Sequence, residues 1–449
     1  MIRSASISRF AAQHRIEPAA ALGRLRAELE TARGPLVEPI DGSDRVLVTF
    51  VYLEPATAVR ISCELWPYEL DTPGLGPVMS RIEGTDVRYA SVEADPRVRV
   101  PYQFQIDPPS FGASLEDAHA LISDRERLES FMGALFESGR ADPFNPVRHY
   151  PYTALLGGDP DGTAGEDRWE SILTLPDAEP PSSLDGEPVQ GRLERHVLAG
   201  GAFPGDREVV VYLPPGYDSG TEYPLAVLLD GELWRKSGRV DEVIDAAIVD
   251  GTLPPLIVAF WSNLTSASRM SEMNVNPALP VALADELLPW LRSRYRVQSD
   301  PAQIVVGGQS YGGLASAFTA LQRPEVFGAA LLISPSLWFT PPGEDEHPAV
   351  SPGGWMARQY AERGPAPIRL YVSVGTLECA PIPKPGMNGQ SMLDLARNFR
   401  DAVAAAGYSV AGYREEPGGH NHITVRRVVV PGLAALLRAP AALTAQETV

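Results

Sequence analysis

The sequence predicts an α/β protein: a C-terminal, mostly parallel sheet flanked by helices, joined to a smaller N-terminal β-sandwich of the Ig or E-set kind. Three observations carry this. Beyond residue 191, short apolar runs alternate with helix-prone runs. Between Arg45 and Ile106, four short runs alternate apolar and polar residues and are separated by Pro, Gly and Asp clusters. At Ile304 to Leu321 an apolar strand, a glycine-rich turn and a helix follow one another, with a Gly-x-Ser-x-Gly pattern in the turn. The expected division is residues 1–150 for the N-terminal domain and its flanking helices, 151–190 for a linker, and 191–449 for the α/β domain.

Taken in order, residues 1 to about 35 read as helical. Pro18 suits a first helical turn, where no N–H is needed, and Leu22, Leu25 and Leu29 form an apolar stripe. The strand-like runs are Arg45–Tyr52, Ala58–Leu65, Asp86–Val92 and Val98–Ile106. Ala113 to Ser138 is helix-prone. Breaker clusters at Asp142–Pro146, Leu156–Gly162 and Pro180-Pro181 suggest the linker. The α/β part then predicts strands at Val209–Leu213, Leu225–Leu229, Leu256–Phe260, Ile304–Val306, Ala329–Ile333, Ile368–Val374 and Val410–Arg414. Helices are predicted at Val240–Val249, Val281–Tyr295 with a kink near Pro289, Leu314–Leu321, Ser391–Ala406, and Thr424–Leu437 with an interruption at Pro431.

Bulk properties narrow the function. The 449 residues carry a formal net charge of −19, which argues against nucleic acid or an anionic membrane as partner. The 44% hydrophobic content suffices for a real core. Two cysteines, Cys63 and Cys379, lie far apart and predict no disulfide, which favours a reducing compartment. No signal-peptide pattern and no long apolar run are read, so the expected location is the cytoplasm. No metal site and no cofactor are predicted.

The chemistry starts at Gly308-Gln309-Ser310-Tyr311-Gly312-Gly313. A nucleophile on a strained strand-to-helix turn needs neighbours without side chains, and the helix that follows aims its positive end at a developing oxyanion. Tyr311 N–H is one candidate oxyanion donor; the turn Asp230-Gly231-Glu232 supplies the other, from Gly231 or Glu232. A serine needs a general base. In an α/β-hydrolase the order is serine, acid, histidine, and only His347, His420 and His422 follow Ser310. His420, glycine-flanked after a strand, is favoured over His422. Glu378, just after a strand, is the expected acid, with Asp394 as the alternative.

These residues sit in a pattern that resembles the enterochelin esterases, trilactone hydrolases of siderophore uptake within the esterase D-like α/β-hydrolases. Leu228-Leu229-Asp230-Gly231-Glu232-Leu233-Trp234 resembles the family's strand and oxyanion turn, and Gly308 to Gly313 its nucleophile motif. Arg269-Met270-Ser271-Glu272-Met273-Asn274 and Glu286-Leu287-Leu288-Pro289 resemble two further signatures. Ser334-Pro335-Ser336-Leu337-Trp338, Gly418-Gly419-His420, Asp142 to Pro146 and Ser171 to Ala178 also match. The resemblance implies hydrolysis of a catecholate siderophore trilactone such as enterobactin, with iron present only as part of the substrate. It carries over Ser310 as nucleophile, His420 as base and Glu378 as acid. It makes Arg269 a contact for an anionic ferric complex, and Trp234 and Trp338 candidate walls of a catechol site. Two features depart from the pattern: the long, proline-rich stretch Cys379 to Asn388, and Asn421-His422 directly after the base. Another ester, such as a depsipeptide or acylated sugar, is the alternative substrate; a non-catalytic binding protein is the alternative to an enzyme.

Overall fold

The computed structural model describes residues 3–66, 76–109, 125–151, 165–180, 189–344, 353–382 and 389–437. His347, the Leu156–Gly162 turn cluster, residues 113–124 and residues 383–388 lie outside them.

The chain opens with two helices, Ala5–His14 and Pro18–Ala32, the first capped by Ser4 and the second starting at Pro18. The buried stripe of the second is Ala21, Leu25 and Leu29, while Leu22 is 36% exposed. The leucine stripe of the sequence reading is corrected by one position, because i, i+4, i+8 better matches the face turned to the domain.

Among the described residues nine strands follow: β1 (Leu36–Pro39), β2 (Val46–Tyr52), β3 (Val59–Cys63), β4 (Ser80–Arg81), β5 (Arg88–Ala94), β6 (Arg99–Ile106), β7 (Gly139–Arg140), β8 (Arg148–His149) and β9 (Glu170–Thr174). They form two antiparallel sheets, β1-β2-β5-β4 and β3-β6-β9-β8, with β7 on β6. One apolar cluster is shared between them: Val48 and Phe50 from one sheet, Ile61, Val100, Phe104 and Leu173 from the other. The expected linker is shortened by this pairing. Ser171 to Thr174 belongs to a strand of the N-terminal sheet, in which Ser171, Ile172 and Leu173 are all buried.

The second part is an eight-stranded sheet: β10 (Arg192–Leu198), β11 (Arg207–Leu213), β12 (Leu225–Leu229), β13 (Ile257–Trp261), β14 (Ile304–Gln309), β15 (Ala329–Ile333), β16 (Arg369–Gly375) and β17 (Ser409–Glu416). The order is β10-β11-β13-β12-β14-β15-β16-β17. β10 and β11 are antiparallel; every pairing from β13 to β17 is parallel. Helices cover both faces, so the central strands are apolar throughout: Val209, Val211 and Leu213 face one cluster, Val210 and Tyr212 the other. β10 escapes a sequence reading because it is an edge strand, exposed or half-buried along its length.

Two prolines behave differently. Before Pro289 the helix widens into a π segment, Ala282–Leu287. A proline lacks an N–H, and a π turn absorbs the lost bond. Pro431 lies inside the continuous helix His422–Leu437, which corrects the expected interruption there.

The parallel strands bring one set of turns to one edge. Asp230 follows β12, Ser310 follows β14, Ser334 follows β15, Glu378 lies three residues beyond β16, and His420 lies four beyond β17.

Candidate active site

Ser310 joins β14 to the helix Tyr311–Gln322 with φ 60° and ψ −121°. That region is costly for a residue with a Cβ and persists only where the surroundings enforce it. The enforcement is visible. Ser310 N donates to Ile333 O at 3.0 Å, and Ser310 O accepts from Ser336 N at 3.0 Å. A Cβ on Gly308 would lie 2.5 Å from Gly312 O, so the turn closes only with glycine there. The Ser310 hydroxyl is 3.2 Å from Ser336 Oγ.

Glu378 stands in the turn after β16 with its side chain 4% exposed. Its Oε1 accepts from Gly375 N at 2.8 Å and from the Ser334 hydroxyl. Its Oε2 accepts from His420 Nδ1 at 2.8 Å. The histidine loop is pinned to the same turn: Leu377 N donates to Gly418 O at 2.9 Å, and a Cβ on Gly375 would meet that oxygen at 2.5 Å. Burial pulls the His420 imidazole toward neutrality, but the charge and hydrogen bond of Glu378, aided by Glu64, outweigh it and raise its pKa. With Nδ1 committed to Glu378, Nε2 is the nitrogen left for proton transfer.

The alternatives fall elsewhere. Asp394 is the third residue of the helix Met392–Ala405; it accepts from Ser391 N at 2.9 Å and Ser391 Oγ at 2.6 Å in a capping box. His422 bonds through Nδ1 to Ser237 Oγ at 2.7 Å, and Ser237 Oγ lies 3.1 Å from His149 Nε2. Burial holds His422 at about 4 and His149 at about 3.

The Asp230-Gly231-Glu232 turn lies against the Ser310 turn. Asp230 has φ 65°, a Cβ on Gly231 would lie 2.6 Å from Phe260 C, and a Cβ on Gly312 would meet Asp230 Oδ2 at 3.1 Å. The helix Gly231–Lys236 and the helix Tyr311–Gln322 both begin there, so Gly231, Glu232 and Tyr311 all present first-turn N–H groups. The Glu232 carboxyl accepts from Asn263 N and Nδ2, each at 3.0 Å, and burial with the neighbouring Asp230 pushes it up to about 7.

Arg269 lies on the helix Ser266–Met273 and is bound bidentately to Asp230, Nε to Oδ1 at 2.7 Å and Nη2 to Oδ2 at 2.8 Å. Its side chain is 18% exposed and its guanidinium is 5.9 Å from the Tyr311 ring centre. Trp338 packs edge-on against Tyr311 at 5.5 Å. Trp234 is corrected: it is 2% exposed, in the core cluster with Ile244, Leu256 and Phe260. A side chain so enclosed walls no substrate site.

Sequence reasoning quoted the stretches that hold Ser334, Ser336 and Asp230 but gave those three side chains no role, and it gave none to Asn263 or Glu64. Ser-Pro-Ser directly after an apolar strand was the available signal for the first two. Glu64 offered none, since its partner is 357 positions away. Among the described residues no group of three or more His, Cys, Asp or Glu could hold a metal, and no helix is long and apolar enough to cross a membrane. Cys63 and Cys379 are both free.

Residues 47–183 match the enterochelin esterase N-terminal domain. The chain is 27% identical over 400 residues to an iron(III) salmochelin esterase of Escherichia coli O6:H1, covering 86% of this chain and 90% of that one. It is 26% identical over 425 residues to an iron(III) enterobactin esterase of Dickeya dadantii, covering 90% of each. The solved ferric enterobactin esterase of Salmonella typhimurium has the same fold, with a TM-score of 0.72 at 22% identity over 92% of this chain and 98% of that one. The Esterase family model matches residues 200–427, which span all the site residues of the large sheet, and the chain belongs to that family of ester hydrolases.

Proposed function

We propose that the chain hydrolyses the ester bonds of a catecholate siderophore trilactone, with Ser310 as nucleophile, His420 as general base and Glu378 as the acid that orients it. The observation that carries this is the His420–Glu378 pair, on the same sheet edge as a serine held at positive φ. Relatives named for enterobactin and salmochelin esters support the substrate class. The N-terminal unit is read as a β-sandwich that extends, with β9, into the expected linker, residues 191–449 as an α/β-hydrolase domain, and the site of action as the cytoplasm, where iron is freed from the opened ligand.

In this reading His420 Nε2 takes the Ser310 proton as Oγ attacks the ester carbonyl. The Nδ1–H stays on His420, hydrogen-bonded to the Glu378 carboxylate, which stabilises the imidazolium. The oxyanion meets Tyr311 N–H and the N–H of Gly231 or Glu232. His420 then gives that proton to the departing alkoxide oxygen of the lactone, leaving the acyl group on Ser310 Oγ; a water deprotonated by His420 attacks this acyl-enzyme, which releases the acid and restores Ser310. Trp338, beside Tyr311, borders the catechol.

One observation favours a second reading. The Arg269 guanidinium is already neutralised by Asp230, so it offers an anionic ferric complex little charge. An uncharged ester, iron-free trilactone included, then becomes the better substrate. One assay separates the two: chromatography of products from ferric and iron-free trilactone, beside Ser310→Ala. Linear trimer, dimer and monomer from the ferric form, absent in the control, support the first reading. Cleavage of iron-free ester alone supports the second, and cleavage by the Ser310→Ala protein overturns both.

A further inference from the structure

Asn421 and His422, the two residues that depart from the family pattern after the base, both reach the N-terminal domain. His422 does so through Ser237 to His149 of β8. Asn421 does so directly. Its Nδ2 donates to Oε2 of Glu64, which follows β3, while its Oδ1 accepts from Thr424 N at 3.0 Å at the start of the helix His422–Leu437. Glu64 also lies against Gly419, where a Cβ would collide with its carboxylate, and the backbone N–H of His420 points to the same carboxylate. Three consecutive residues of the histidine loop thus rest on one half-buried acid from another domain. The opposite side of the loop is pinned by Leu377 N and the Gly375 turn.

We infer that Glu64 is a positioning residue for His420: the N-terminal domain clamps the histidine loop from the side opposite Glu378. The inference rests on the esterase reading above. A loop held on one side only leaves the imidazole free to swing from the nucleophile, and misplacements of about 1 Å cost rate steeply. The clamp is also electrostatic. His420 is faced by Glu378 and Glu64, which favour its cation, by Arg269, which opposes it, and by His422, which burial keeps neutral. Glu64 itself is faced by His420, Glu378 and, from β9, Glu170. Removing the Glu64 charge takes away one of the two anions that raise the His420 pKa.

The test uses the full-length protein, 4-nitrophenyl butyrate as a small neutral ester, and Glu64→Ala, Glu64→Gln and Ser310→Ala. Glu64→Ala lowers kcat about 10- to 100-fold with KM within about twofold. Glu64→Gln keeps an acceptor oxygen for Asn421 and recovers most of kcat, but the acidic limb of its kcat/KM profile moves to lower pH because His420 loses a raising charge. If both variants keep the wild-type kcat and acidic limb while Ser310→Ala is inactive, Glu64 has no such role and the esterase reading stands. A lowered melting temperature with an unmoved limb in Glu64→Gln also overturns the inference, since that is a merely structural role. If Glu64→Ala fails to fold, Glu64→Gln carries the test alone. Full activity of Ser310→Ala instead overturns the site reading on which the inference rests.

Discussion

Two histidines two residues apart, His420 and His422, are tuned in opposite directions. Both sit at the start of the same helix-and-loop segment after β17. His420 meets a carboxylate at 2.8 Å, and its pKa is raised. His422 meets a serine hydroxyl at 2.7 Å and, beyond it, a second buried histidine, and its pKa falls to about 4. Burial pushes both toward neutrality; Glu378, hydrogen-bonded to His420, reverses it there, whereas the charge of Asp230 does not outweigh it at His422. One imidazole is therefore ready to accept a proton and hold it, while its neighbour stays neutral and links the large sheet's helices, through Ser237, to His149 of β8. The partner atom, not the residue type or its place in the sequence, decides which histidine can serve as a base.

The comparison breaks most easily at its catalytic side. His420→Ala should lower kcat by about 10⁴-fold or more, while His422→Asn should cost less than about tenfold. Equal losses in stopped-time ester assays would remove the distinction. The next test separates the acids. Glu378→Gln should cost about 10⁴-fold, since the histidine loses its oriented tautomer. Asp394→Asn should leave kcat within about threefold and cost about 1 kcal/mol of stability from the helix cap, read by denaturant unfolding.

How much of this was legible beforehand follows the same division between local and distant causes. The Ser310 turn was legible because its whole cause is local: strand, glycines and helix lie within one stretch of sequence. Glu378 and His420 could be placed at strand ends by topology, and the structure brings them together. What stayed hidden depended on partners far along the chain. Trp234 read as a site aromatic from its motif, yet the sheet face it covers encloses it among Ile244, Leu256 and Phe260. Arg269 read as a substrate cation, yet Asp230, 39 positions away, holds it. β10 hid because an exposed edge strand carries little apolar pattern, and β9 because it joins a sheet begun much earlier in the chain.

Those differences supply further, smaller effects. Trp234→Ala should destabilise the fold by about 3–5 kcal/mol, as for a large core aromatic. Trp338→Ala should instead leave unfolding nearly unchanged and raise KM for an aromatic ester. The reverse pattern would put Trp234 in the site after all. Stability against pH separates the histidines once more. His422 and His149 have folded pKa values near 4 and 3, below the ordinary histidine value of about 6.5. The unfolded chain therefore binds more protons, so their contribution is full above about pH 6.5 and is lost progressively as the pH falls toward 4. His420, with a raised pKa, contributes in the opposite sense: its part is present at low pH and lost as pH rises through its folded value. In thermal melts His422→Asn should flatten the acid-side loss.

The most direct test of the central claim is labelling with a fluorophosphonate, which reacts only with a serine made nucleophilic by a neighbouring base. Peptide mapping by mass spectrometry should find one adduct, on Ser310, formed far more slowly in His420→Ala and at the wild-type rate in His422→Asn. A label on another residue, or a His420→Ala protein that labels as fast as the wild type, would contradict it.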